Sequence, residues 1–207
     1  MIFFENLFRL KKKIFSNHKI EVSKDINFGN KKTNDFFKKT LKKTNFYFEY
    51  GSGNSTILSD KYKKKFVSVE LDKKFYQLIY ENLKRKNGII FINMGIVGEF
   101  SYPIFKDKKK ILEYIQTLNK FFTKKKFPDF ILVDGRFRVA CCINIYLLIK
   151  KFNRHPIVIL DDYEKRNHYK VLNKIFDIKK IGRMASLKIK KKNKDFLNFN
   201  EFLMDTR

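Results

Sequence analysis

Two sets of side chains in this 207-residue chain have the types and spacing to do chemistry. The first is a pair of acids, Glu49 and Glu70, with the turn Gly51-Ser52-Gly53-Asn54-Ser55-Thr56 between them. Glycines at a strand end let the backbone turn with positive φ and bring its N–H groups close to a ligand, and Ser55 or Thr56 can cap the helix that follows. An acid closing the next strand stands where a ribose diol would lie in a nucleotide-binding crevice, so Glu70 is a cofactor-binding candidate. The second set gathers Asp134, Asp161, Asp162 and His168 with Arg136, Arg138 and Arg166. Carboxylates leaving strand ends can accept a proton or collect a hard divalent cation, magnesium for example. Asp134 and Asp162 are therefore catalytic candidates and, with Asp161, metal-ligand candidates. A neutral imidazole at His168 can act as a base near physiological pH. Arg136 and Arg138 have the fork geometry to clamp a substrate carboxylate or phosphate, and pairing with Asp134, Asp161 or Glu99 is the competing use of the same fork. Tyr163 and Arg166 complete the substrate-binding candidates.

The elements around them alternate. Aromatic and β-branched residues suit a pleated buried surface, which predicts strands at 46–50 and 66–70. Asp72 can cap a helix to about Lys86, with Phe75, Leu78, Ile79 and Leu83 at helical spacing. A buried strand at 89–92 precedes an irregular glycine-bearing segment, 93–103, that opens with Asn93, a further cofactor candidate at a strand's carboxyl end. A helix at 109–122, a strand at 129–134 and a helix at 139–151 follow. A strand at 156–160 then leads into a helix through Tyr169 and Ile175, and 178–182 and 185–189 form a closing strand pair. Upstream, 17–34 is a polar loop and 34–44 a helix with Phe36, Phe37 and Leu41 on one face. Strands alternating with helices predict an α/β sheet that is mostly parallel.

The stretch around Glu49, Gly51, Gly53 and Glu70 resembles the first motif of class I S-adenosylmethionine (SAM) dependent methyltransferases. The third glycine of a dinucleotide fingerprint is replaced by Thr56. Within that superfamily the chain is similar to small bacterial methyltransferase-like proteins, through the runs 49–56, 95–103, 134–140 and 161–169. The resemblance implies a Rossmann-like methyltransferase sheet with its last strand antiparallel and helices on both faces. It also implies SAM as cofactor: the glycine turn with Ser52, Ser55 and Thr56 against the methionine part, Glu49 near the ammonium, Glu70 on both ribose hydroxyls, and adenine beside the strand end at Asn93. Catechol-type O-methyltransferases, similar at the strand ends, hold magnesium with an Asp and an Asp-Asn pair, where this chain has Asp134 and Asp161-Asp162. The implied activity is methylation, at oxygen, of a small-molecule or glycan-type acceptor; a noncatalytic binding module for RNA or an acidic partner is the rival. The Asn/Asp-Pro-Pro-Tyr/Phe motif of base N-methyltransferases is missing where Asp134-Gly135-Arg136 stands.

Composition bounds the rest. With 43% hydrophobic residues the chain can bury one core, and no uncharged apolar run reaches membrane-spanning length. The expected organisation is an N-terminal amphipathic helix and loop (1–33), a SAM-binding domain (34–192) and a C-terminal tail (193–207). The N-terminus lacks a secretory signal pattern, which predicts a cytoplasmic protein. Residues 1–16 place apolar side chains near helical spacing around three lysines, a pattern that can touch an anionic membrane or pack on its own domain. Cys141 and Cys142 are adjacent and read as reduced core residues. The formal charge of +26 invites a nucleic-acid partner, but only eight of the 47 basic residues are the arginines that read guanine by bidentate contacts. Abundant Lys, Asn, Ile and Phe beside two alanines and no tryptophan fit an A/T-rich coding bias, so most lysines are read as solvated surface.

Overall fold

The computed structural model describes residues 22–23, 25–190 and 197–207. The expected helix at 1–16 lies outside the described residues. The seven strands are β1 (Phe46–Tyr50), β2 (Lys65–Glu70), β3 (Ile89–Phe91), β4 (Phe130–Val133), β5 (Ile157–Leu160), β6 (Phe176–Ile181) and β7 (Met184–Ile189). They form one sheet in the order β3-β2-β1-β4-β5-β7-β6. The first five strands pair in parallel, and β7 runs antiparallel to both β5 and β6. Parallel strands covered on both faces read as near-continuous apolar runs, and β1 and β4 are buried at every position, with Glu49 the one charged residue among them.

The period-2 alternation of β1 sends Phe46, Phe48 and Tyr50 into one core cluster and Tyr47 into the other. Glu49 shares the face of Tyr47. Helices α1 (Lys31–Lys43), α2 (Asn54–Lys61) and α3 (Lys73–Glu81) cover that face through Phe37, Leu41, Leu58 and Ile79. Helices α4 (Lys108–Gln116), α5 (Arg138–Phe152) and the short α6 (Phe199–Phe202) cover the other. Cys141 and Cys142 are free and buried in α5, as expected. Among the described residues no helix is long and apolar enough to cross a membrane.

Several boundaries move, each for a local reason. α1 starts three residues early because Asn30 caps it, its side chain accepting from the Thr33 N–H at 2.9 Å. Ile26 and Phe28, expected in a polar loop, are buried against Phe37. Asp72 caps α3 as read, but the helix stops at Glu81, well short of Lys86. The Asp60 carboxylate accepts the N–H groups of Lys84 and Arg85 and a bond from the Arg85 guanidinium, which pulls 84–85 out of helical geometry. α4 ends at Gln116 and passes into a 3-10 stretch, Thr117–Phe121. The segment after β5 is helical through Tyr169 as expected, in 3-10 geometry over Asn167–Lys174, and stops just short of Ile175. In the C-terminal tail, Leu197 and Leu203 belong to the core.

Candidate functional site

The carboxyl ends of β1, β2, β4 and β5 bring the two sets of candidates to one edge of the sheet. Gly51 takes φ +89°, and a Cβ there would stand 2.8 Å from the backbone of Gly135. A Cβ on Gly135 would in turn meet the Tyr114 hydroxyl and the Gly51 nitrogen. These two glycines are therefore required by the close approach of the β1 and β4 ends. Gly53 differs. Its backbone is extended, and a Cβ built on it meets nothing within 4 Å. Nothing in the fold demands glycine there, whereas a ligand seated on the turn would.

Glu70 is almost fully buried, and five donors hold it. The Ser52 N–H and hydroxyl donate to Oε2 at 3.0 and 2.7 Å. The Leu71 and Asp72 N–H groups and the Ser101 hydroxyl donate to Oε1 at 2.8, 2.9 and 2.7 Å. The carboxylate thus ties the glycine turn of β1 to the segment after β3. Ser101 was not legible in the sequence as a site residue. It reaches Glu70 because Phe100 and Ser101 both adopt left-handed conformations at the tip of a hairpin closed by a bridge between Val97 and Pro103. Asn93 is exposed and turns this segment by accepting the Gly95 N–H at 2.9 Å.

Glu49 is fully buried beneath the turn. Its oxygens accept from the hydroxyls of Tyr47 at 2.7 Å, Ser55 at 2.5 Å and Thr56. Ser55 does not cap α2, because its hydroxyl is spent on Glu49; Thr56 Oγ1 accepts the Gly53 N–H at 2.9 Å instead. Burial pushes the Glu49 carboxyl from 4.5 up to about 7, against the opposing pull of those hydroxyls. An acid raised in the folded state favours the protonated form, so its contribution to stability is complete below about pH 4.5 and is lost as pH rises through about 7. At about 1.4 kcal/mol per pKa unit the swing is about 3 kcal/mol. We expect the melting curves of the parent and Glu49→Gln to diverge by that order between pH 5 and pH 8. Curves that stay parallel would remove Glu49 as the titrating group.

The second set assembles at the ends of β4 and β5. One oxygen from each of Asp134, Asp161 and Asp162 lies within 4.8 Å of the others. Arginines already balance them. Arg138, buried at the start of α5, pairs with Asp134 at 3.0 Å and Asp162 at 3.3 Å and donates to the carbonyls of Asp161, Asp134 and Gly135. Arg166 pairs with Asp162 at 3.2 Å. Arg183, in the β6–β7 turn, forks onto the fully buried Asp161 at 2.9 and 2.5 Å. Arg183 lies 22 residues from its partner, and nothing in the sequence marked it. Guanidinium occupies both oxygens of Asp161 and one each of Asp134 and Asp162, so a divalent cation would have to compete with arginine for this cluster. Burial and the neighbouring Asp161 and Asp162 carboxylates push Asp134 above the usual carboxylate range, opposed by Arg138.

The remaining candidates separate. Among the described residues Arg136 bonds no carboxylate; its Nε donates to the Phe100 carbonyl at 2.6 Å, and its guanidinium lies 6.0 Å from the Tyr102 ring. Tyr163 is buried in the core. His168 is half-buried on the 3-10 helix, and burial lowers its pKa. Neither ion pair nor hydrogen bond joins it to the aspartates among the described residues. An open groove of about 330 Å³, lined by Phe36, Lys39, Thr40, Lys43, Asp129 and Ile157, lies at the amino ends of β4 and β5. It stands at the opposite edge of the sheet and holds none of these groups.

This is the Rossmann-like methyltransferase fold, a seven-stranded sheet with one antiparallel strand and helices on both faces. A crystal structure of a methyltransferase-like protein from Silicibacter pomeroyi superposes with a TM-score of 0.69 at 21% identity, covering 87% of this chain and 98% of that one. Cofactor-bound Rv0187 from MTB superposes with a TM-score of 0.53 at 14% identity, covering 92% and 90%. No protein-family model and no curated protein matches the sequence.

Proposed function

We propose that the chain is a SAM-dependent methyltransferase acting at an oxygen of a small-molecule or glycan-type acceptor. The observation that carries the reading is Gly53: a glycine facing open space, with no steric reason in the fold, between two buried acids at the end of β1 and β2. The cradle fits an amphoteric cofactor. The turn 51–56 would lie against its methionine part, Glu49 beneath that turn would in its ionised form favour a cation above it, and Glu70 would accept from the ribose hydroxyls. The cofactor supplies an activated methyl on a sulfonium. The chain's own residues then need only align a nucleophile and take one proton. Asp134, raised toward neutrality, is suited to that proton. Asp162, held by Arg138 and Arg166, fixes the cations around it. The fold likeness to a methyltransferase-like protein is consistent with this use.

Replacing Glu70 by Ala should weaken S-adenosylhomocysteine (SAH) binding by about 1 to 3 kcal/mol, the scale for hydrogen bonds to a charged group. Because five protein donors also rest on Glu70, the variant's melting temperature is measured alongside. A folded Glu70→Ala that binds SAH as tightly as the parent would sink the ribose assignment.

A further inference from the structure

The arginines near the aspartates are not equivalent. Arg138, Arg166 and Arg183 each pair with a carboxylate, and Arg136 pairs with none among the described residues. Its only side-chain hydrogen bond among the described residues goes from Nε to a carbonyl, which leaves both terminal nitrogens free. It is partly withdrawn from water beside two further cations, Arg138 and Arg166, whose charges oppose its own. A guanidinium so placed is destabilised until an anion joins it.

A second group points the same way. Tyr169 is fully buried, and its hydroxyl has no hydrogen-bond partner among the described residues. Buried hydroxyls nearly always find one. The Arg166 guanidinium lies 5.9 Å from the Tyr169 ring and 3.2 Å from the Asp162 carboxylate, which sets the phenol ring beside the aspartate cluster. Tyr169 follows β5, two strands along the sheet from the glycine turn of β1 and on the same chain segment as Asp161 and Asp162.

We propose that the methyl acceptor is an anion, bearing a carboxylate or a phosphate ester, and that Arg136 and the phenol of Tyr169 receive its charged group beside Asp134 and Asp162. This rests on the methyltransferase reading and narrows its substrate class. The acceptor oxygen would then be presented to Asp134 by a charge held a few ångströms away, and neutral analogues would be poorly oriented.

The test is a titration of inorganic phosphate, with acetate in parallel, onto the full chain loaded with SAH. The parent, Arg136→Gln, Tyr169→Phe and the surface control Lys125→Gln are compared. Phosphate or acetate, whichever matches the acceptor, should bind at least tenfold more weakly to Arg136→Gln and several-fold more weakly to Tyr169→Phe, with Lys125→Gln like the parent. Tyr169→Phe removes only a hydroxyl without a partner, so it should fold even if Arg136→Gln does not. Equal binding by the parent and both site variants would assign the anion to the lysine-rich surface and overturn the proposal. A loss of SAH affinity in Arg136→Gln with phosphate affinity unchanged would move the guanidinium to the cofactor and overturn it too. SAH binding to the parent is measured first. Its absence sinks the methyltransferase reading and the acceptor with it, whereas SAH binding without the phosphate pattern sinks this inference alone.

Discussion

Gly53→Val is expected to fold like the parent and to lose SAH affinity by about 100-fold or more, because a branched side chain would enter the space a cofactor needs above the turn. Its extended backbone suits valine, and no neighbour stands within 4 Å of the added Cβ, so the melting temperature should stay within a few degrees. Gly51→Val is the contrasting case. There the Cβ collides with the Gly135 backbone at a φ of +89°, and both faults strike the sheet itself. A loss of about 4 kcal/mol, or roughly 8 to 16 °C for a chain of this size, is the expected scale. Sequence alone gave the two glycines one role; the structure divides them between architecture and ligand. Thermal melts and SAH titrations of both variants check the division. A Gly53→Val protein that binds SAH normally would leave the turn without a cofactor.

The second large effect concerns Asp134. Asp134→Asn keeps the shape and removes the charge and the proton acceptor, so turnover should fall by about 100-fold or more with SAH binding unchanged. The parent's turnover should fall as pH drops through the neutral region, since only the ionised carboxylate takes a proton and burial has raised its pKa. Asp134→Asn should lack that limb. Asp162→Asn should also lower turnover, but through Arg138 and Arg166, which lose their shared partner. Near-parental turnover in Asp134→Asn would take Asp134 out of the chemistry. His168 would then be the next base to examine.

Much of this was legible in the residues because the signals were local. The strands at the site announced themselves through runs such as Phe46–Tyr50 and Phe130–Val133, and the glycine turn and flanking acids followed in fixed order. Asp72 was readable as a cap because an N-cap depends on a carboxylate just ahead of a helical pattern. What escaped was long-range. Arg183 reaches Asp161 only because β7 returns antiparallel beside β5 and sets the β6–β7 turn over the site. Ser101 reaches Glu70 only through two successive left-handed residues, one of them a phenylalanine, which no propensity favours. The segment after β5 read as a helix, but its 3-10 geometry was not legible, since apolar positions at i and i+3 serve either kind of helix. Whether an aspartate cluster meets metal or arginine is likewise invisible until the fold delivers the guanidiniums.

The central claim is that the ends of β1 and β2 form a SAM site, and calorimetric titration of SAH onto the full parent chain tests it most directly. The account predicts saturable one-to-one binding, measurably weakened in Glu70→Ala and lost in Gly53→Val. A folded parent chain that shows no SAH binding, or binding indifferent to both substitutions, would contradict it.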